Sequence, residues 1–330
     1  MPNATWPVVD GFKGLNNRID PIRLGLEWQL QADNVLCDDA GFLTRRPGQT
    51  SFVNSQFKDV YGTKDGRLLA IDASDNLIQI DEQGNSLVLQ AGVIGAPFQW
   101  TELGYAIFML GDVAAWAVYP DTIITWGSLC PSLSSVSYPL GDPISYPPPG
   151  GHVIGTRRDQ LAVAVWEDEQ DRSVLYFSRP GYPHEFRLER DYQIFAGRIN
   201  LLAHTSTAFV IGTDRAIYLD PYDGPMMKVA DYGVPLNAIT YDERDVVFFW
   251  SELGLCKAAP FENLTDSKLA VIGQGPVTMA LLEYQGSRYA VVQQVNRPAV
   301  KRSARPYELL TVSVIGQIEL TWPEQVLVSF

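Results

Sequence analysis

From Arg67 onward the chain alternates short apolar runs with polar turns: RLLAID, ASDN, LIQID, EQGN, SLVLQ. Leu77, Gln79 and Asp81 fall on one side of an extended backbone, and Ile78 and Ile80 on the other. Turns built on Asp, Asn and Gly favour hairpins, because these residues bond their own backbone or accept positive φ. The pattern predicts a β-meander over residues 51–95.

The theme returns along the chain. Apolar strand runs broken by short turns cover Tyr105–Gly127, Gln160–Pro180, Ile199–Pro221, Leu236–Pro260 and Val277–Gln294, and a last pair closes at Pro323. Successive units lie about 35 to 50 residues apart, the length of a four-stranded propeller blade. The prediction is an all-β chain, a β-propeller of about six blades. A β-sandwich with Greek-key connections is the competing architecture. Sequential hairpins that need no long crossover favour the propeller.

Helix signals are poor. The best run is Leu26–Leu36, LEWQLQADNVL, which predicts one short helix near the N-terminus. Residues 1–50 then read as an N-terminal arm, and 51–330 as the propeller. Residues 128–152 interrupt it with a Pro-, Ser- and Gly-rich stretch ending PPPGGH. That stretch either connects two blades or reaches a neighbouring subunit. A second irregular segment, NRPAVKRSARP at Asn296–Pro306, is basic.

Composition narrows the classes. With 330 residues, 46% hydrophobic and 19% charged, the chain carries enough apolar material for a core. The net charge of −13 opposes binding of nucleic acid from outside. The same sign suits a channel wall past which DNA slides. Cys37, Cys130 and Cys256 are far apart and match no zinc or disulfide spacing, so free thiols in a reducing compartment are expected. The start, MPNATWPVVDGF, has no basic stretch before an apolar run, and no 18-residue apolar span occurs. Neither a signal peptide nor a membrane span is expected.

Catalytic patterns are scarce. His152, His184 and His204 are scattered, and there is no GxSxG elbow, P-loop or GxGxxG. No cofactor or metal is expected. Carboxylates cluster at Asp72 with Asp75, at Glu167-Asp168-Glu169 with Asp171, and at Asp220 with Asp223. All fall at hairpin turns, where Asp serves the backbone. The turns DASDN and DPYDG lack the ligand spacing of an EF-hand. Trp100, Trp116, Trp126, Trp166 and Trp250 lie mostly in strand runs and read as packing between blades rather than as a sugar platform.

The most distinctive stretch is residues 11–48, GFKGLNNRIDPIRLGLEWQLQADNVLCDDAGFLTRRPG. A glycine-bearing start with Asn16, Asn17 and Arg18 leads to a leucine-bearing run, then to Ala32-Asp33-Asn34-Val35, then to Gly41-Phe42-Leu43-Thr44-Arg45-Arg46-Pro47. This order resembles the opening of phage tail proteins of the nozzle type, including the tail tubular protein B family of T7-like podophages. A central stretch, Leu175–Gly181 with Pro183–Phe186, is similar more weakly. The resemblance implies a short helix, an Asn-Val strand and a Gly-x-x-x-Arg-Arg-Pro turn. It implies a structural protein of the virion tail, assembled in the host cytoplasm as a homo-oligomeric ring of about six copies. Its partners would be adaptor, fibre or portal-proximal proteins, and DNA only as the transiting genome. This chain is shorter than such nozzles, which adds a hub, an adaptor-proximal ring or a fibre-attachment protein to the roles implied.

Within that frame residues 42–53 are expected to close the ring against the C-terminal sheet, removing open strand edges. Arg45 and Arg46 suit bidentate pairing with carboxylates on a neighbouring blade or subunit. Asn16, Asn17, Arg18, Arg302 and Arg305 complete the assembly candidates. Two alternatives stand beside this role. One is a propeller module that binds a tail fibre or host glycan. The other is a polysaccharide-degrading propeller enzyme using turn carboxylates such as Asp72 or Asp223.

Overall fold

The computed structural model describes residues 35–37, 43–45, 57–130, 145–236, 238–242, 246–265, 277–284, 287–294 and 326–329. Among them the chain is all-β, with a single 3-10 turn at Asp168–Gln170. Two short strands come first, β1 (Val35–Cys37) and β2 (Leu43–Arg45). Four meander sheets follow. The first holds β3 (Phe57–Gly62), β4 (Leu68–Asp72), β5 (Leu77–Ile80) and β6 (Ser86–Gln90). The second holds β7 (Gln99–Leu103), β8 (Ala106–Leu110), β9 (Ala115–Val118) and β10 (Ile123–Thr125). The third holds β11 (Val153–Arg157), β12 (Gln160–Glu167), β13 (Arg172–Arg179), β14 (Tyr182–Phe186) and β15 (Tyr192–Ala196). The fourth holds β16 (Ile199–His204), β17 (Ala208–Thr213), β18 (Ile217–Pro221) and β19 (Met227–Ala230). A fifth holds β20 (Ile239–Tyr241), β21 (Val247–Ser251), β22 (Gly254–Lys257) and β23 (Glu262–Asn263). Last come β24 (Val277–Tyr284), β25 (Ser287–Gln294) and β26 (Val326–Ser329) in a three-stranded sheet.

The strand order within the sheets is sequential and antiparallel, apart from β15, which returns to pair with β13. These are propeller blades. Among the described residues five reach four strands or more where the sequence repeat predicts six; the sixth repeat supplies the three-stranded sheet. The described strands fall into two compact units, β3–β19 in one and β1, β2 and β20–β26 in the other.

Within the four-blade unit the second strand of a blade is buried on both faces, so its sequence is a continuous apolar run rather than an alternation. Strand β8 shows why. Ala106, Phe108 and Leu110 pack with Trp126, Ile154, Leu161 and Phe186 toward the third blade. Ile107 and Met109 pack with Leu69, Ile71, Leu77 and Phe98 toward the first. Burying a side chain such as Phe108 contributes about 1.5–3 kcal/mol.

The hairpin turns obey one local rule twice. Asp72 Oδ1 accepts the Ser74 and Asn76 N–H groups, and Oδ2 accepts Asn76 Nδ2. Asp81 does the same with Gln83 and Asn85. Each turn needs a left-handed residue before its Asn; Asp75 (φ 61) and Gly84 (φ 83) supply it. The Asp-to-Asn spacing in DASDN and DEQGN is thus a turn signature.

At the N-terminus the structure changes one expectation. Val35 and Leu36, placed at the end of a helix by the sequence, are in strand β1; residues 26–34 lie outside the described residues. Val is β-branched and favours extended backbone. Of the segment expected to close the ring, residues 43–45 form β2, which pairs with β1, Val35 opposite Arg45; residues 42 and 46–53 lie outside the described residues.

Candidate functional site: the exit end of the inner strands

The first strands of the second, third and fourth blades lie side by side, β11 between β7 and β16. Hydrogen bonds gather their C-terminal ends, and that of β3, at one place. Gly155 sets the spacing there. A Cβ on it would sit 2.6 Å from Leu202 Cβ and 3.2 Å from the Leu202 carbonyl oxygen, so glycine lets β11 and β16 approach backbone to backbone.

Polar groups collect at this end. Glu102 Oε1 accepts the Tyr61 hydroxyl at 3.0 Å and the Lys64 N–H at 2.8 Å, joining blades one and two. The Tyr61 ring stacks on Trp100, centroids 5.1 Å apart and nearly parallel. Thr156 donates to the Glu102 carbonyl at 2.7 Å and lies 2.8 Å from the Thr101 hydroxyl, joining blades two and three. Lys64 Nζ lies 3.2 Å from His204 Nε2, bringing blade one to blade four. Arg157 closes onto Asp220 through Nε and Nη2 at 3.0 and 2.9 Å, joining blades three and four. Arg158 lies over the Tyr222 ring at 4.3 Å and donates to its carbonyl. The result is a face rich in mixed charge and hydrogen-bonding groups, suited to polar recognition.

Two histidines brace the scaffold behind it. His184 Nδ1 accepts the Gly127 N–H at 2.9 Å, which leaves the proton on Nε2, 2.6 Å from the Tyr119 hydroxyl. This geometry demands a neutral ring. Burial depresses the pKa of His184 below its ordinary 6.5, against the opposing pull of Glu185. His152 donates to the Ile199 carbonyl at 2.7 Å, and burial depresses it as well.

The assembly candidates fall elsewhere. Arg45 ends β2, its backbone opposite Val35. Arg46, Asn16, Asn17, Arg18, Arg302 and Arg305 lie outside the described residues. The turn carboxylates are engaged: Glu167 with Arg172, Asp171 with Arg215, Asp220 with Arg157, and Asp72 with its own turn. Trp126 is buried against Phe108 and Phe186, as expected for a packing tryptophan, whereas Trp166 is half-buried and donates to Asp168. Part of the 128–152 stretch packs on its own chain: Tyr146 and Phe186 exchange two backbone bonds at 2.8 Å. Among the described residues no group of three metal-ligating side chains is placed to hold an ion, and no helix is long and apolar enough to cross a membrane.

Tyr61, Lys64, Glu102, Thr156 and His204 carry no sequence motif. The signal that finds them is positional: FKDVYGTK, QWTEL, VIGTR and INLLAH each end on polar residues just before a turn.

No protein-family profile matches the chain, and no curated protein is similar to it. Solved structures are. The extracellular domain of the one component system BT4673 from B. thetaiotaomicron is 10% identical with a TM-score of 0.43, covering 72% of this chain and 31% of its own. The WD40 domain of SCAP from fission yeast is 11% identical, TM-score 0.41, covering 72% and 59%. A gluconolactonase, XC5397 from Xanthomonas campestris, is 14% identical, TM-score 0.40, covering 74% and 84%. The chain spans less than two thirds of the first two.

Proposed function

We propose that the chain is a structural protein of a tailed bacteriophage, a nozzle- or hub-type component of the tail that assembles as a homo-oligomeric ring. The observation that carries this reading is the motif run at residues 11–48, whose two strand segments, Val35–Cys37 and Leu43–Arg45, pair as a hairpin. The acidic balance of −13 supports it, since a wall of that sign repels a passing DNA backbone. The ring order of about six and the adaptor, fibre or portal-proximal partners come from the resemblance, as does placement in the virion. The role is mechanical rather than chemical. Both Asp72 carboxylate oxygens are occupied by its own turn, an arrangement that serves the fold.

Immunogold labelling and mass spectrometry of purified phage particles test the reading. Label at the tail supports it; particles that lack the chain overturn it. A second reading, a ligand-binding propeller, is favoured by one feature outside the motif, a cationic cleft on the third blade.

A further inference from the structure

Strand β13 changes partner half-way. Residues Arg172–Tyr176 pair with β15, while Ser178 and Arg179 pair with β14. Between them a tight turn crosses the gap: the Arg190 and Asp191 N–H groups both donate to the Arg187 carbonyl, and the Phe177 N–H donates to the Asp191 carbonyl at 2.9 Å. A cleft of about 440 Å³ opens at this split.

The lining is out of character for so acidic a chain. It carries three arginines, Arg157, Arg187 and Arg190, against one carboxylate, Asp191. Arg157 is held by Asp220, and Arg190 Nε lies 3.7 Å from Asp191. Arg187 has no carboxylate partner among the described residues, and its Nε is buried without an acceptor. On the same cleft Gln193 Oε1 is buried without a donor. Folded proteins rarely leave such atoms unpaired, because each forfeits the hydrogen bonds it would make to water. Here the side chains that carry an orphaned cationic donor and an orphaned neutral acceptor belong to residues lining one cavity. Beside them Tyr192, 43% exposed, offers an aromatic face.

A ligand that answers all three features brings an anionic oxygen for Arg187, a hydroxyl donor for Gln193 and a ring face for Tyr192. We propose that this cleft binds a sugar acid, a carboxylate-bearing saccharide unit such as a uronate. The carboxylate meets the planar donor fork of Arg187, a geometry in which Arg surpasses Lys. A sugar hydroxyl donates to Gln193, and the sugar ring lies against Tyr192. The cavity is of the size that takes small ligands. The site does not depend on the tail role, and either can fail alone.

Isothermal titration of the full chain at low salt, with D-glucuronate, D-glucose and inorganic phosphate as separate probes, tests it. The expected result is binding of glucuronate, with glucose and phosphate at least ten-fold weaker. R187Q weakens glucuronate at least ten-fold, and Q193L weakens it while leaving the melting temperature near that of the parent. Q193E, which sets a carboxylate against the ligand's own, abolishes binding in a folded chain. Absence of glucuronate binding overturns the proposal. So does equal binding of glucose, equal binding of phosphate, or an affinity indifferent to Arg187 and Gln193.

Discussion

The Asp59 carboxylate accepts the Trp100 indole N–H at 2.7 Å and, through the same oxygen, the Phe98 N–H at 2.7 Å. Its other oxygen takes the Val60 N–H. One residue, at a register shift in β3, thereby ties the first strand of the first blade to the entry of the second. Burial pushes this carboxyl above its ordinary 3.8, and the three hydrogen bonds pull against that.

Removing the carboxylate leaves those donors inside without an acceptor. Asp59→Ala is expected to cost about 2–4 kcal/mol in urea unfolding. Trp100→Phe removes one donor together with the acceptor's need for it, and is expected to cost less. A double-mutant cycle should return a coupling of about 0.5–3 kcal/mol between the two. Additive losses would show that the blades are not joined through this bond.

Blade spacing rests on Gly155. Gly155→Ala drives a methyl into Leu202 and its carbonyl, so a loss of about 1–3 kcal/mol is expected from thermal melts. At Gly62, on the first strand of the first blade, an added methyl would meet nothing within 4 Å, and the backbone φ is not positive. Gly62→Ala should be tolerated, and the contrast between the two variants is the informative measurement.

Acid should loosen the protein through its histidines. Both His184 and His152 have folded pKa values below the ordinary 6.5. Above 6.5 they are neutral in both states, and their contribution is fully present. As pH falls below 6.5 the unfolded chain takes up protons that the folded chain refuses, and stability drops by up to about 1.4 kcal/mol per pH unit for each site. Denaturation curves from pH 8 to pH 4.5 should show this slope, and His184→Gln should flatten it.

The twin Asp-Asn turns make a spectroscopic prediction. The Asn85 side chain, then its backbone N–H, holds the exposed Asp81 carboxyl below its ordinary 3.8. In Asn85→Ala the pKa of Asp81, followed by NMR, should move up toward that value. An unchanged titration would place the cause elsewhere.

What is readable in the sequence follows from burial. Runs such as AIFML, AFVIG and VFFWS are continuous apolar strands because they are covered on both faces, and they stand out. The inner strands β7 and β11 do not. QWTEL is half-buried and polar at its end, and VIGTR follows the proline-rich stretch, so neither reads as a blade start. The turns at Asp72 and Asp81 are legible because their chemistry is local. The site is not: Glu102 meets Tyr61, Lys64 and Thr156 only through the packing of blades, and the Arg187 cleft exists only because β13 changes partner. Neither relationship leaves a spacing in the chain.

The proposed tail role stands or falls with assembly into a ring. Size-exclusion chromatography with light scattering on the purified chain measures it most directly. A single species near six times the 36.7 kDa protomer mass, ring-shaped in negative-stain micrographs, is the predicted result. A monodisperse species at 36.7 kDa over the full concentration range would contradict it.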